Sequence, residues 1–159
     1  MRLEWPRARQ HAARRTRGQS LAEFAIAFPA VMLLIGAIVQ FGIIFWGQNT
    51  LTQIARDTGR WAATQSGCTT ATVDVLGTAK SIAAASSLIG PSSGWTSPAN
   101  VVATWTTTDS PAPVCPPVNN TQTWYVNITI HHQVPVFFPW IPGDGNLTTV
   151  AQFRMEPRP

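Results

Sequence analysis

The chain has 159 residues, of which 45% are hydrophobic and only 11% are charged, against about 25% charged in an ordinary soluble domain. This length suits one small domain and leaves little material for a second packed core. A formal charge of +4 would suggest a nucleic-acid partner if it were spread over a folded surface. However, six of the 11 basic residues lie in the first 17 positions, so we expect no nucleic-acid partner.

The basic leader is followed by a long segment without ionisable side chains, residues 24–47, FAIAFPAVMLLIGAIVQFGIIFWG. At about 1.5 Å per residue, such a helix reaches about 36 Å, enough to cross a hydrocarbon core of about 30 Å. A buried core helix is one alternative, but a fold of this size has little material to surround it. A cleaved signal peptide is another, and its apolar region would be only about 7–15 residues long.

We therefore predict one membrane-spanning helix that stays attached to the chain and places the protein in a cytoplasmic membrane, with the lipid bilayer as its surroundings. The arginine-rich N-terminus is predicted to be cytoplasmic and the rest of the chain to lie outside. Past residue 47 the helix is predicted to continue, because apolar and small residues recur there at steps of three and four. These residues are Leu51, Ile54, Ala55, Thr58, Trp61 and Ala62.

A second helix and three strands are predicted further along the chain. Residues 72–88 carry an apolar helical face, and residues 90–98 have the composition of a loop. Strands are predicted at 101–107, at 121–132, where Trp124, Val126, Ile128 and Ile130 alternate with other residues, and at 147–155. The proline-rich residues 109–120 cannot join a ladder.

Helices followed by strands predict an α+β fold, in which a small antiparallel sheet packs against the extended helix. The predicted organisation is a basic cytoplasmic leader at 1–18, a transmembrane helix at 19–47 and an extracytoplasmic α+β head at 48–159. The head includes the helix extension.

One carboxylate, Glu23, lies at the start of the apolar segment, where a charge is costly unless it is paired or reaches water. If the chain were cut after Gly18, the new α-amine would be on Gln19, one helical turn before Glu23. That amine could then approach Glu23 of the same or a neighbouring subunit, and the helix dipole favours a negative charge in the first turn. Alternatively, Glu23 is an interfacial residue of a simple single-pass anchor.

The basic leader, Gly18, Glu23 and the unbroken apolar helix resemble a type IV prepilin signal. More narrowly, GQSLAEFAIAFPAVMLLIGAIVQFGIIFWGQNTLTQIARDTGRWAA resembles the TadE-like minor pseudopilins of tight-adherence (Flp) pilus systems. The resemblance covers about the first 63 residues and includes Gly18, Glu23, Phe24 and Pro29. One departure is Gln40, because many members have a Glu before the Phe-Gly that corresponds to Phe41 and Gly42.

The resemblance implies a pilin-like structural protein that helps to assemble an Flp-type pilus or a related secretion fibre. It implies a processing site between Gly18 and Gln19, cut by a prepilin peptidase, and helix assembly through Glu23, Phe24, Pro29 and Gln40. The implied partners are other pilin or pseudopilin subunits and an assembly platform in the bacterial inner membrane. The alternative is an uncleaved single-pass anchor that presents an extracytoplasmic binding head.

Cys68 and Cys115 both fall on the predicted outer side. An oxidising compartment favours one disulfide between them, and two free thiols are the alternative. Spacing alone does not show that their Cα atoms come close enough.

No enzymatic site is predicted, and neither a metal nor a cofactor is expected. His131 and His132 are adjacent on a predicted strand, so their side chains point to opposite faces and cannot readily share a metal ion. The sequence has no glycine-rich phosphate loop and no G-x-S-x-G motif. Carboxylates beyond the leader are scattered singly, which does not indicate an acid and base pair.

Overall fold

The computed structural model describes residues 9–84, 100–139 and 145–157, with side chains from residue 18 onward. It contains helix α1, Arg9–Ala63, helix α2, Val75–Ala83, and strands β1, Val101–Thr107, β2, Trp124–Gln133, and β3, Asn146–Arg154. A long apolar helix, a short helix and an antiparallel sheet confirm the predicted α+β fold.

Helix α1 runs without a break from the leader through the apolar segment and into the head, so the predicted extension is confirmed. Pro29 lies inside this continuous helix. Arg60 is in the last turn, where a cation is favourable beside the carbonyl end of the helix dipole. After Ala63 the chain tightens, because the amide of Thr64 donates to the carbonyl of Trp61 at 3.1 Å.

The three strands form one antiparallel sheet in the order β1-β2-β3. Val101 pairs with Ile130 in the first ladder, and His132 pairs with Leu147 in the second. The predicted alternation in β2 is confirmed, because Val126, Ile128 and Ile130 are completely buried while the residues between them are partly exposed. One face of the sheet therefore packs into the core.

The core lies between this sheet face and one stripe of α1, with α2 closing the side next to β1. Gly59 allows close contact between helix and sheet, since a Cβ there would overlap the ring of Phe153. The buried stripe of α1 in the head includes Leu51, Ile54, Ala55, Thr58, Gly59 and Ala62. This stripe agrees with the sequence prediction, and Trp61 packs at its edge.

Some element boundaries differ from the prediction for local reasons. Helix α2 begins at Val75 rather than residue 72 because Asp74 caps it, accepting a hydrogen bond from the Gly77 amide at 2.8 Å. The predicted end of this helix near residue 88 and the loop at 90–98 lie outside the described residues. Strand β2 begins at Trp124 because Asn119 forms a turn, with its side chain accepting from the Thr121 amide at 3.1 Å.

A disulfide joins Cys68, in the turn after α1, to Cys115 in the proline-rich loop, with the two Cα atoms 6.2 Å apart. The predicted bridge is therefore present in the structure. The loop is also fastened at its ends, because the Asp109 carboxylate accepts a hydrogen bond from the Thr123 amide at 2.7 Å. The bridge connects the helical and the sheet parts of the head.

The two adjacent histidines of β2 face opposite sides of the sheet, as predicted. His131 is exposed, with its Nδ1 2.9 Å from the hydroxyl of Thr148. His132 is buried, and burial lowers its pKa because the charged imidazolium loses hydration. We therefore expect His132 to be neutral at neutral pH.

Replacing Cys68 by serine should release one thiol at Cys115 and destabilise the head. The bridge closes a loop across a sequence separation of 47 residues, which corresponds to about 3–4 kcal/mol in the chain-entropy model. Thiol titration of the unfolded protein and denaturant unfolding measure the two effects. Cys115→Ser should behave in the same way, whereas two free thiols in the unsubstituted chain, falling to one in either variant, would show that the bridge is absent.

The head should lose stability as the pH falls below about 6.5. Because burial lowers the pKa of His132 in the folded state, the unfolded chain binds a proton first on acidification, and unfolding becomes more favourable. The melting temperature should therefore fall between about pH 7.5 and pH 5. His132→Phe should reduce this fall, whereas the control His131→Phe should retain it; equal pH profiles for the two variants would contradict the role of His132.

Candidate functional site

The N-terminal half of α1 presents an apolar surface that the rest of the described chain leaves uncovered. Every residue from 18 to 35 is exposed. Large apolar side chains dominate this segment and include Leu21, Phe24, Ile26, Phe28, Val31, Met32, Leu33, Leu34 and Ile35. An apolar surface of this size requires either lipid or other protein subunits to cover it.

Within the described residues, Gly18–Ala63 is the one helix long and apolar enough to cross a membrane. Its most apolar window has a mean hydropathy of 2.3, and only 11% of that window is buried. The core helix of a soluble protein would be mostly buried. Low burial together with high hydropathy therefore fits a membrane anchor.

The predicted processing residues lie on one exposed turn of this helix. A Cβ at Gly18 would meet nothing within 4 Å, so no contact in the described head requires a glycine there. The carboxamide of Gln19 donates to the carboxylate of Glu23 at 3.2 Å. The structure thus brings Gln19 and Glu23 together, while cleavage after Gly18 stays a prediction.

The next predicted assembly residues continue along the uncovered surface. The rings of Phe24 and Phe28 lie one turn apart with centroids separated by 5.4 Å. Phe24 is 62% exposed, and Pro29 is also exposed. Both Phe24 and Pro29 are accessible to a neighbouring helix, and their part in assembly stays a prediction.

Gln40 has a different environment, because only 1% of its surface is exposed. Its Nε2 donates to the carbonyl of Pro135 at 3.4 Å, and its Oε1 accepts from the amide of Phe137 at 3.0 Å. The carboxamide therefore bonds to backbone within the same chain. A contact between Gln40 and a neighbouring helix, which the sequence suggested, stays a prediction.

The partners of Gln40 belong to residues 134–139, a segment called the strap below. The strap follows β2 and returns along α1 into the segment predicted to cross the membrane. A Cβ at Gly47 would lie 2.9 Å from Val134 Cγ1, and one at Gly36 would lie 3.3 Å from the ring of Phe138. Sequence analysis missed this contact, although the proline-bounded apolar run VPVFFP was a signal for an unusual segment.

Glycines in α1 fall into two groups. Gly36, Gly47 and Gly59 make room for side chains of the strap and the sheet, whereas Gly18 and Gly42 have nothing within 4 Å of a Cβ. A glycine inside a helix costs about 0.5–1 kcal/mol relative to alanine. Packing within the described chain thus accounts for the first group only.

Chemistry-bearing groups are sparse in the part of the chain that the structure describes. It contains no group of three or more His, Cys, Asp and Glu side chains placed to hold a metal ion. A groove of about 340 Å³ between α2 and β1 is lined largely by apolar residues, with Asp74 as its one ionisable side chain.

Comparison with known proteins gives a match to a family model. The family model described as TadE-like protein matches residues 18–72, about a third of the chain. The match begins at Gly18 and extends through α1 and the following turn, so α2 and the sheet lie outside it. No curated protein and no solved structure gave a significant match. Residues 18–72 are thus similar to TadE-like proteins, and this similarity together with the candidate membrane helix suggests a membrane-anchored protein associated with Tad pili.

Proposed function

We propose that the chain is a minor pilin-like subunit that takes part in assembling an Flp-type pilus or a related secretion fibre, without enzymatic activity of its own. The observation that carries this proposal is the apolar surface over residues 18–35, uncovered by the described head. It lies within the residues that the TadE-like model matches. A helix of this kind can exchange lipid contacts for contacts with other helices of the same kind.

Maturation would occur by cleavage after Gly18 by a prepilin peptidase. It would remove the leader with its six arginines, which would be very costly to bring into a bilayer or an apolar fibre core. The new α-amine on Gln19 is protonated at neutral pH, because its ordinary pKa is about 7.7–8.0. It would lie on the same helical turn as Glu23. The N-terminal end of the helix would then carry one amine and one carboxylate in place of the six arginines of the leader.

Assembly would use the same helix in two environments. In the bacterial cytoplasmic membrane, with the N-terminus cytoplasmic and the head outside, the exposed side chains around Phe24 and Pro29 contact lipid. When the assembly platform extracts the subunit, these side chains pack against helices of neighbouring pilin subunits. Glu23 then pairs with the α-amine of a neighbour, which avoids an isolated charge in an apolar interior.

The second candidate function is a permanent anchor that is never cut and that presents its head to an outside partner. The limited extent of the family match supports this second candidate, because α2 and the whole sheet lie beyond residue 72, outside the matched segment. The two functions differ in a simple way. Only the first requires processing at Gly18.

Gly18→Leu should abolish processing without disturbing the fold. A Cβ at this position meets nothing within 4 Å, so a larger residue fits, and failure of cleavage would reflect recognition by the peptidase. Gly42→Leu is the matched control, because a Cβ at Gly42 also meets nothing within 4 Å. This variant should leave processing intact. Intact mass measured from native membranes distinguishes the forms, and normal removal of the leader from Gly18→Leu would overturn the proposed site.

Glu23→Gln should leave membrane insertion intact and reduce incorporation into fibres. The substitution retains the size of the side chain but removes its charge. If pairing with the α-amine contributes about 1.4 kcal/mol to the free energy of assembly, its loss reduces incorporation about tenfold. The measurement is the amount of the chain in sheared fibres relative to membranes. Asp57→Asn removes an exposed carboxylate further along α1 and serves as the control; equal incorporation of both variants would argue against the pairing role.

A further inference from the structure

The strap lies antiparallel to α1 on the same helical face that packs against the head. Val134 is in contact with the helix at Gly47, and Phe138 is in contact with it at Gly36. Four residues of extended chain span about 13–14 Å, and eleven residues of helix rise about 16 Å. The strap therefore follows the helix for about three turns through contacts of its side chains, and it bends at Phe137.

The depth of the strap follows from the length of helix needed to cross a bilayer. A hydrocarbon core of about 30 Å requires about 20 helical residues. If the hydrocarbon core begins at the level of Glu23, it ends near Ile43, and Gly36 lies about 10 Å inside it. If the hydrocarbon core begins at the level of Gln19, it ends near Val39, and Gly36 lies about 4–5 Å inside it. Tilt of the helix would place additional residues within the core and so increase this depth.

The chemistry of the strap suits a hydrocarbon environment. Its sequence VPVFFP carries no polar side chain, and both prolines lack an amide hydrogen. Two of its amides have partners that remove the need for water: Val134 donates to the carbonyl of Gly145 at 2.9 Å, and Phe137 donates to Gln40 at 3.0 Å. This matters because lipid offers no hydrogen-bonding partner to a backbone amide.

The outer surface of the strap is apolar and exposed. Phe137 is 61% exposed, and Pro135 and Pro139 are also exposed, whereas Phe138 is partly buried against α1. Thus one aromatic ring holds the strap to the helix and the preceding ring points away from the protein. The surface continues directly into the uncovered apolar surface of α1, which indicates lipid as its occupant.

We propose that the strap enters the membrane leaflet on the side of the head and that Phe137 contacts lipid acyl chains there. Gln40 is the positioning residue, since its buried carboxamide bonds to the strap backbone on both sides of Val136. The head is consequently held to the membrane at two places, the strap and α1. This inference rests on α1 crossing the bilayer and is independent of cleavage at Gly18 and of fibre assembly.

The test measures the depth of a fluorescent probe in the full chain reconstituted in phosphatidylcholine vesicles. A nitrobenzoxadiazole label is attached at Phe137→Cys under non-reducing conditions, with the native cysteines retained in their disulfide. Leu33→Cys, at a residue of α1 that is 57% exposed, reports insertion of the anchor. Val150→Cys, at a residue of β3 that is 65% exposed, reports a head surface in water. Quenchers are lipids brominated along the acyl chains and aqueous iodide.

The expected result is quenching of the Phe137 and Leu33 probes by brominated lipid, with iodide quenching the Val150 probe only. Quenching of the Leu33 probe by lipid together with quenching of the Phe137 probe by iodide would overturn the strap inference alone. If both probes were quenched by iodide, the membrane anchor itself would be contradicted. Protection of the Phe137 probe from both quenchers would overturn the lipid proposal and identify protein as the covering surface.

Gln40→Ala provides the second variant. It removes the two hydrogen bonds to the strap while leaving the disulfide and the sheet unaltered, so the Phe137 probe should become accessible to iodide and the Leu33 probe should not change. Gln48→Ala is the matched control, because Gln48 also donates from α1 to a head carbonyl, that of Thr148 in β3 at 3.3 Å rather than one in the strap. Equal behaviour of the two variants would exclude a positioning role for Gln40.

Discussion

The structure depends on one helix that has to satisfy two different surroundings. From residue 18 to residue 35 all sides of α1 are exposed and mostly apolar, as lipid or helix packing requires. Nearer its C-terminus, one stripe of the same helix becomes part of the core of the head, from Gly36 through Leu51 to Ala62. Because the stripe begins inside the apolar segment, head and membrane segment overlap along the helix instead of meeting at a single boundary.

The elements that could be predicted from the sequence are those with a local signal. The apolar length of α1 and the alternation around Ile128 each follow from a repeating pattern of side chains. Helical periodicity alone placed the start of α2 too early, because it does not reveal the cap at Asp74. Because both cysteines lie on the predicted outer side, in an oxidising compartment, the sequence indicated a bridge between Cys68 and Cys115. Only the folded structure shows that their Cα atoms lie 6.2 Å apart.

The strap could not be predicted in this way, because its contacts join residues distant in sequence. Gln40 and Phe137 are 97 positions apart, and no periodic pattern relates them. The same contact gives a physical reason for the amide at position 40, where the resemblance to TadE-like proteins would imply a carboxylate. Gln40 both donates to Pro135 and accepts from Phe137, whereas an ionised Glu could only accept.

In the proposed function, α1 is both a membrane anchor and, after maturation, a helix of a fibre core. The most direct measurement is peptide mass spectrometry of the N-terminus of this chain in sheared native fibres, compared with the membranes from which they were removed. We expect to find the chain in the fibre fraction with its first residue at Gln19. Chain confined to the membrane fraction and still carrying its arginine-rich leader would contradict it.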